Sequence, residues 1–419
     1  MKRLAIIGAG ASGLAASIEA KRNNENISVT VFEKQEKAGK KILVSGNGRC
    51  NILNLNAGQT KYCGSDDFAK KVFSQTDIES DIAFFKSLGL YLYADDEGRM
   101  YPLSNKSDSV LNCLLAETKK LGVNFSFSSE INSIEFKDGI YIINKRNCFD
   151  SVIVCGGGKA SPIHGSDGSC LNLLSLLSIK INTVYPALSP IKLKEKTPEL
   201  KGIRSKGKIR LIKNGKTIAS SRGELQFADY GISGIPAMDI SGKAFEILTS
   251  EHFENRKDKS NTNLFVEIDS VPSFSINEIL QIIRQRIYEN PDETAVTALS
   301  GLINSKLASF FLKKCVIKKD TAIGNLSNTQ IKNIVLYLKK YTCEIQGISS
   351  FNNAQVTGGG ADTKEFNPYT MESFKYPGLF ACGEILDLYG ICGGFNLSFA
   401  FSSGRIAGKS AAEFLKNND

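Results

Sequence analysis

At 419 residues the chain is too long for one hydrophobic core, and its 42% hydrophobic and 23% charged residues exclude a disordered or fibrous protein. No apolar run approaches the roughly 18 residues of a membrane helix, and the signal-peptide-like start is broken by glycines, so a cytoplasmic protein is expected. The net charge of +9 is spread along the chain without a long basic block, which favours attraction of phosphate-bearing cofactors over a nucleic-acid partner. Ten cysteines without a CxxC pair read as free thiols. Two histidines, His164 and His252, are too few for a zinc or iron centre, so no metal site is expected.

In chain order, LAIIG reads as a buried strand, ASGLAASIEAKRN as a helix and NISVTVFEK as a second strand, a βαβ unit of about 30 residues. Between the first strand and the helix lies Gly8-Ala9-Gly10-Ala11-Ser12-Gly13, a GxGxxG turn. Gly8 permits the turn, Gly10 lets backbone approach a pyrophosphate, and Gly13 lets helix and strand pack closely. The helix start, with Ala11 and Ser12, offers N–H donors to phosphates. Glu33 closes the second strand 20 residues after Gly13, where an acid accepts ribose hydroxyls. SDIAFFKSLGL and SDSVLNCLLAETKKLG read as helices opened by Ser or Asp caps, and VNFSFSSEINSIEFKDGIYIIN as a meander turning at Asp138-Gly139. SVIVCGGG is a further buried strand ending in glycines.

From about Ile191 to Asp269 the segments are short and alternating, with a hairpin turn at Asn214-Gly215; SEHFENRKDKSNTN (250–263) reads as an exposed loop. FSINEILQIIRQRIYEN and TQIKNIVLYLKKYT then read as helices. After Phe351 the glycine-rich character returns. The expected organisation is an α/β, discontinuous dinucleotide domain (1–189 and 351–419) interrupted by an insert (190–350), β-rich over 190–272 and helical over 273–345.

Three further glycine clusters select FAD over NAD. Gly156-Gly157-Gly158 follows a strand after Cys155, as in two-dinucleotide-fold flavoproteins. GLFACGEILD ends a strand at Gly383-Glu384, and Gly393-Gly394-Phe395-Asn396 opens the helix LSFAFSSGRIAG, whose N-terminus would stabilise negative charge on a reduced flavin. No second GxGxxG provides a nicotinamide domain. Either NAD(P)H visits the flavin transiently as reductant, or the substrate itself is the reductant.

The stretches GAGASG (8–13), KKILVSGNGRCNILN (40–54), EGRMYPLSNKSDSV (97–110), CGGGKASPIHGSDG (155–168), YGISGIPAMDIS (230–241), AQVTGGGADTKEFNPYTMES (354–373) and GLFACGEILDLYGICGGFNLSFAFSSG (378–404) resemble, in order and over nearly the whole chain, the aminoacetone-oxidase-like and BaiN-like family of bacterial NAD(P)/FAD-dependent oxidoreductases. The resemblance implies a Rossmann-like FAD domain carrying a β-barrel-like and helical insert. It also implies that Ser45, Gly46, Asn47, Arg49, Cys50 and Asn51 surround the flavin and its phosphates, and that Gly383, Glu384 and Gly393, Gly394, Phe395, Asn396 and Leu397 border the isoalloxazine. Lys34, Lys41, Cys155, Gly156 and Gly157 complete the expected cofactor contacts. One departure stands at Ser233-Gly234-Ile235-Pro236, where the family pattern is Ser-Gly-Pro.

Flavin supplies hydride transfer itself, so the protein adds binding, orientation and at most a proton donor. Weak candidates for that donor are Tyr389, Asp387, Tyr230 and His164, with Glu384 and Lys106 behind them; none is selected by the sequence. Cys50 lacks a partner thiol at redox spacing, and Cys382 and Cys392 are no better placed. The expected activity is FAD-dependent hydride transfer with a small organic substrate, either amine oxidation or reduction of an activated double bond. An FAD-dependent RNA-modifying enzyme and a flavin sensor without turnover remain open, as does the oligomeric state.

Overall fold

The computed structural model describes residues 1–254 and 263–418, and the chain forms two compact units. The first comprises Met1–Pro186 and Phe351–Asp419, the second Ala187–Ser350. Most of the 250–263 segment, read as a loop, lies outside the described residues; its first residues end the helix Ile235–Glu254.

The first unit is built on a five-stranded parallel sheet. From one edge to the other it runs Leu379–Ala381, Ser151–Val154, Arg3–Ile7 (β1), Ser28–Phe32 (β2) and Asn124–Ser126. Its strands are short and apolar because both faces are covered: Leu4, Ala5, Ile6, Val152, Ile153 and Val154 are wholly buried. The first strand of the expected meander thus joins this sheet, parallel to β2. Only Ile134–Lys137, Ile140–Ile143 and Asn147–Phe149 form the antiparallel meander, and Asp138 (φ +51°) and Gly139 (φ +80°) make its first turn.

Two helices sandwich tightly beside β1. Ala11–Asn23 (α1) packs along the C-terminal helix Phe395–Asn417, and the close approach comes from glycine: a Cβ on Gly404 would lie 2.4 Å from Ser12 O, and one on Gly408 2.2 Å from Ala16 O. The helix Ile78–Ser87 starts one turn earlier than the Ser-Asp reading, capped by Asp77, whose side chain accepts from Ser80 N–H (2.7 Å). The helix Ser107–Lys120 has Lys106 at its cap position with no side-chain cap. Ser107 Oγ instead donates to Leu43 O (2.7 Å), fastening this helix to the segment before the 45–51 loop.

The second unit holds a closed six-stranded barrel, in the order Ile191–Leu193, Gly231–Gly234, Lys216–Ala228, Arg204–Lys213, Leu264–Asp269 and Tyr341–Ile348. Inward residues alternate along each strand, among them Ile209, Leu211, Leu225, Phe227, Val266, Ile268 and Cys343. Asn214 (φ +49°) and Gly215 (φ +74°) form the expected two-residue turn. The helices Ile276–Glu289 and Asn328–Lys340 both begin with capping boxes, Ser275 with Glu278 and Ser327 with Gln330. The helical stretch ends at Lys340: Tyr341 starts the strand that closes the barrel, so residues 341–345, read as helical, are β. At 233–236 the strand stops at Gly234 and a helix begins at Ile235, with Pro236 in its first turn, where a missing N–H costs nothing.

One backbone position in this unit is strained. After the helix Ser305–Lys314, Val316 takes φ +59° to let Ile317 N–H reach Leu312 O (2.9 Å). Glycine is usual there, and a residue with a Cβ pays roughly 1–2 kcal/mol. Val316→Gly is expected to stabilise the unit by about 1 kcal/mol, read as a higher urea midpoint with an unchanged slope.

Candidate functional site

The glycine turn sits where β1 ends beside the strand Ser151–Val154. Gly8 N–H donates to Phe32 O (2.8 Å), and a Cβ on Gly8 would lie 2.7 Å from Gly156 Cα; one on Gly13 would lie 1.9 Å from Gly8 O. These two glycines and Gly156, whose Cβ would strike Cys170 Sγ, serve the packing of the chain itself. Gly10 does not. Its φ of −85° and ψ of −165° suit any residue, and no protein atom lies within 4 Å of a Cβ built there. The space is open at the N-terminus of α1, where the N–H groups of the first turn have no intrahelical acceptor.

Glu33 pins this turn. Its Oε2 accepts from Ala9 N–H and its Oε1 from Gln35 N–H, both at 2.9 Å, and each oxygen keeps a lone pair for a ribose hydroxyl. Lys34 is committed differently from the expectation: it pairs with Asp167 and donates to Ser169 Oγ (3.2 Å). Burial works against the Asp167 charge, but Lys34 holds its carboxyl below the usual range.

Lys41 and Glu384 belong to one polar network. Lys41 Nζ lies 2.6 Å from Glu384 Oε2 and donates to Ala160 O (3.2 Å). Glu384 Oε1 accepts from the N–H and the hydroxyl of Thr357 (3.0 and 3.1 Å), and Thr357 Oγ1 accepts from Lys159 N–H (2.7 Å) and Ala160 N–H (2.9 Å). Four segments remote in sequence are thus tied together beside the glycine turn 156–158. Thr357 was not among the expected site residues; its TGGG context carried the resemblance but gave no reason to single out the hydroxyl. Glu384→Ala leaves Thr357 without its acceptor and Lys41 without its carboxylate partner, with only Ala160 O remaining to it, and is expected to cost about 1–3 kcal/mol in thermal unfolding. Glu384→Gln, which keeps an acceptor, should recover much of it.

Residues 45–51 form a compact left-handed loop, with Gly46 (φ +55°), Asn47 (φ +56°), Gly48 (φ +82°) and Cys50 (φ +57°). Cys50 N–H closes it on Ser45 O (3.0 Å), and Ser45 Oγ donates to Ile42 O (2.6 Å). Cys50 Sγ points inward, and burial pushes its thiol up to about 11, so it is protonated at neutral pH and is no nucleophile. Arg49 is exposed, lies over the Tyr101 ring (4.9 Å) and forms no ion pair among the described residues, which leaves its guanidinium donors for an anion. Asn51 Oδ1 is buried without a hydrogen-bond partner, and a Cβ on Gly394 would lie 2.5 Å from it. A buried acceptor left unsatisfied in this way marks a place for an outside donor.

The opposite wall is the start of the C-terminal helix. Asn54 Nδ2 donates to Gly393 O (2.7 Å), Asn54 N–H donates to Ser398 Oγ (3.0 Å), and the Tyr62 hydroxyl donates to Phe395 O (3.0 Å). Asn396, expected beside the flavin, turns its side chain onto its own loop: Oδ1 accepts from Gly390 N–H (2.9 Å) and Nδ2 donates to Gly390 O (3.0 Å). The N–H groups of Phe395, Asn396 and Leu397 have no intrahelical acceptors, so the positive end of a 23-residue helix faces the 45–51 loop at Gly394. Asn54 and Tyr62, which fix this end, were missed; each is an ordinary polar residue until a fold places it against residues more than 300 positions away.

Cys155 packs beneath the turn, its Sγ 3.3 Å from Ile7 O and 3.4 Å from Gly8 O. Contact with Cys382, at the end of the adjacent strand, and burial hold its thiol well above the usual range; burial pushes Cys170 up to about 12. These thiols are packing groups at neutral pH. Cys392 lies elsewhere, 3.8 Å from Gln355 Oε1.

Among the proton-donor candidates, Tyr389 is buried against Tyr185 (ring centroids 6.3 Å, edge-to-face). Burial, then Cys63 and Tyr185, raise its hydroxyl far above the range useful to a general acid. Asp387 accepts from Asn182 Nδ2 (2.8 Å), and burial raises its carboxyl above the ordinary value. His164 Nδ1 is hydrogen-bonded to Ser161 Oγ (2.9 Å) inside its own turn, and Lys106 is exposed at its helix start. Tyr230 belongs to the second unit, where its carbonyl accepts from Leu193 N–H (3.0 Å). No hydrogen bond joins any two of these candidates among the described residues.

An open glycine turn at a helix N-terminus, a carboxylate with free lone pairs at the end of β2, an unsatisfied buried amide oxygen and a second helix N-terminus fit an extended dinucleotide such as FAD. The family model described as HI0933-like protein Rossmann domain matches residues 2–410. A 3-dehydro-bile acid delta(4,6)-reductase of Clostridium scindens is 34% identical over 99% of this chain and 100% of its own length. A ribosomal RNA dihydrouridine synthase of Haemophilus influenzae is 27% identical over 95% of each chain. The solved open form of a flavocytochrome c3 fumarate reductase is 16% identical, with a TM-score of 0.47 over 99% of this chain and 78% of that one. The chain belongs to the HI0933-like family of Rossmann-domain, FAD-binding oxidoreductases.

Proposed function

We propose that this protein reduces a carbon–carbon double bond conjugated to a carbonyl. The observation that carries this reading is the full-length, 34% likeness to a bile-acid delta(4,6)-reductase, joined to a site that offers two helix N-termini and a buried, unsatisfied amide oxygen to a dinucleotide and keeps its Cys50 thiol protonated. FAD, when bound, supplies the hydride. The chain's own part is binding and orientation. Gly10 and the start of α1 take the pyrophosphate and Glu33 the ribose. Arg49 and Asn51 of the 45–51 loop, with the N–H groups of residues 395–397, border the ring. Positive potential at that helix end favours the anionic, reduced form of the cofactor. Amine oxidation has no comparable support.

A second substrate reading is favoured by the 27% likeness to a ribosomal RNA dihydrouridine synthase. Dihydrouridine is uridine reduced at the double bond conjugated to its ring carbonyl, so the two readings share one reaction and differ in what carries the double bond. NAD(P)H serves as a transient reductant in both.

The test is anaerobic. Holoenzyme is bleached with NADPH or NADH, then mixed with cyclic enones, primary amines, or deproteinised ribosomal RNA. Recovery of oxidised-flavin absorbance with an enone or with RNA, and a saturated product or dihydrouridine by mass spectrometry, is the expected result. Bleaching of oxidised enzyme by amines, with no reoxidation by either acceptor, overturns the reading.

A further inference from the structure

The positive charge is divided unequally between the two units. Residues 187–350 carry 25 Lys and Arg against 17 Asp and Glu, whereas residues 1–186 and 351–419 carry 27 against 26. The second unit therefore holds +8 of the net +9. Lys and Arg are spread through both units, as expected, and the difference is one of density: the second unit, the shorter of the two, holds nearly as many of them. The unequal division removes the cofactor as the reason for the excess, because the dinucleotide unit is nearly neutral.

Within the second unit the acid-free run richest in basic residues is 201–222, on and beside the barrel hairpin, with eight Lys and Arg; a second, smaller cluster differs from it in carrying an almost fully exposed apolar side chain at its centre. The helix Ser305–Lys314 ends in Lys313 and Lys314, and the chain turns through Cys315 and Val316 to Lys318 and Lys319. Asp320 is the one acid in this stretch. Lys318 and Lys319 are exposed and form no ion pair among the described residues; Lys313, 80% exposed, reaches Glu199 only at 3.5 Å, and Lys314 pairs with Glu195. At the crest stands Val316, in the strained left-handed conformation described above and 91% exposed. Its side chain contributes almost nothing to packing, so neither the core nor the turn accounts for a valine where glycine would serve better.

We propose that this tip, residues 313–319, docks a folded RNA, its lysines meeting phosphates and Val316 lying against an exposed ribose or base face. The inference rests on the RNA-substrate reading above. One apolar side chain ringed by lysines fits phosphate-led binding, with a single van der Waals contact to a sugar or base. A membrane-binding element would instead offer an extended apolar face.

The test measures binding of deproteinised bacterial ribosomal RNA to holoenzyme by anisotropy across a salt series, with vesicles of anionic phospholipid as the other arm. Binding to RNA is expected, with log affinity falling linearly against log salt. The triple variant Lys313→Glu, Lys318→Glu, Lys319→Glu should weaken it at least roughly tenfold and flatten the slope by about 2 to 3. The equal charge change on the barrel hairpin, Lys206→Glu, Lys208→Glu, Lys216→Glu, should change it by less than about threefold. Val316→Gly should raise thermal stability yet weaken RNA binding. Equal losses from the two triple variants, binding to vesicles but not RNA, or no RNA binding by the natural chain each overturn the proposal. Enone-driven flavin reoxidation is scored separately: if it persists while RNA fails to bind, docking falls and reduction stands. If RNA binds and no acceptor reoxidises the flavin, reduction falls and docking stands.

Discussion

Gly10→Ser should fold as well as the natural chain and lose most of its affinity for FAD. The reason is the difference among the three glycines of the turn. A Cβ at residue 10 meets no protein atom within 4 Å, and its backbone is in an ordinary extended conformation. Residue 10 is also the cap of α1, a position where serine is better than glycine by a few tenths of a kcal/mol. Stability of the apoprotein should therefore stay level or rise slightly. A pyrophosphate lying on the start of α1, however, needs the volume that the new side chain takes. Losing one or two charge-assisted backbone contacts costs about 1.5–3 kcal/mol, roughly a tenfold to hundredfold rise in Kd. Titration of apoprotein with FAD, followed by flavin fluorescence, reads the affinity, and thermal unfolding without FAD reads the fold. Gly13→Ala is the contrasting variant. Its Cβ would stand 1.9 Å from Gly8 O, so it should lower the stability of the apoprotein itself. Normal FAD affinity in Gly10→Ser would remove the pyrophosphate from this turn.

The part of the site built from neighbours in sequence was legible. GAGASG, Glu33 and the strands around them follow from spacing alone, because a turn, a helix start and a strand end lie within one βαβ unit. Both hairpin turns, Asp138-Gly139 and Asn214-Gly215, were equally readable, since a two-residue turn with positive φ at both positions demands those residue types. What the sequence hid is what the discontinuous fold brings together. Asn54 and Gly393, Lys41 and Glu384, or Cys155 and Cys382 meet only because the edge strand Leu379–Ala381 pairs beside Ser151–Val154. Asn396 shows how a motif position leaves the contacting atom open: its side-chain amide is taken by Gly390 N–H and O, so a flavin contact at this position falls to its backbone N–H. The barrel's last strand was read as helix because Tyr341 continues the apolar spacing of Ile331, Ile334, Val335 and Leu338, and no glycine or proline marks the boundary.

Arg405→Met should destabilise the first unit by about 3–5 kcal/mol, far more than the loss of an exposed arginine. Arg405 on the C-terminal helix reaches Asp81 Oδ1 at 2.5 Å, Glu19 on α1 at 3.3 Å and Ser80 Oγ at 3.0 Å, and lies over the Phe84 ring. Asp81 is 1% exposed and accepts its other bond from Ser402 Oγ (2.6 Å). The cluster clamps together the two helices whose N-termini frame the proposed flavin site. Burial raises the Asp81 carboxyl to about 6, although Arg405 and Ser402 pull it down. Because this folded value lies above the unfolded one of 3.8, the native state binds the proton more tightly. The contribution of Asp81 to stability is therefore greatest below about pH 4 and falls as pH rises through about 6. Removing Arg405 takes away the partner of the ionised form and raises the carboxyl further. The penalty of Arg405→Met should accordingly be largest above pH 7 and shrink at pH 5, where protonation relieves the unpaired charge. Asp81→Asn combined with Arg405→Met should recover much of the loss at pH 7, since a neutral amide can still accept from Ser402. Urea unfolding of the single and double variants at pH 5 and pH 7.5 decides it: a penalty independent of pH, unrelieved by Asp81→Asn, would mean that Arg405 acts through its stacking on Phe84 and not through the buried pair.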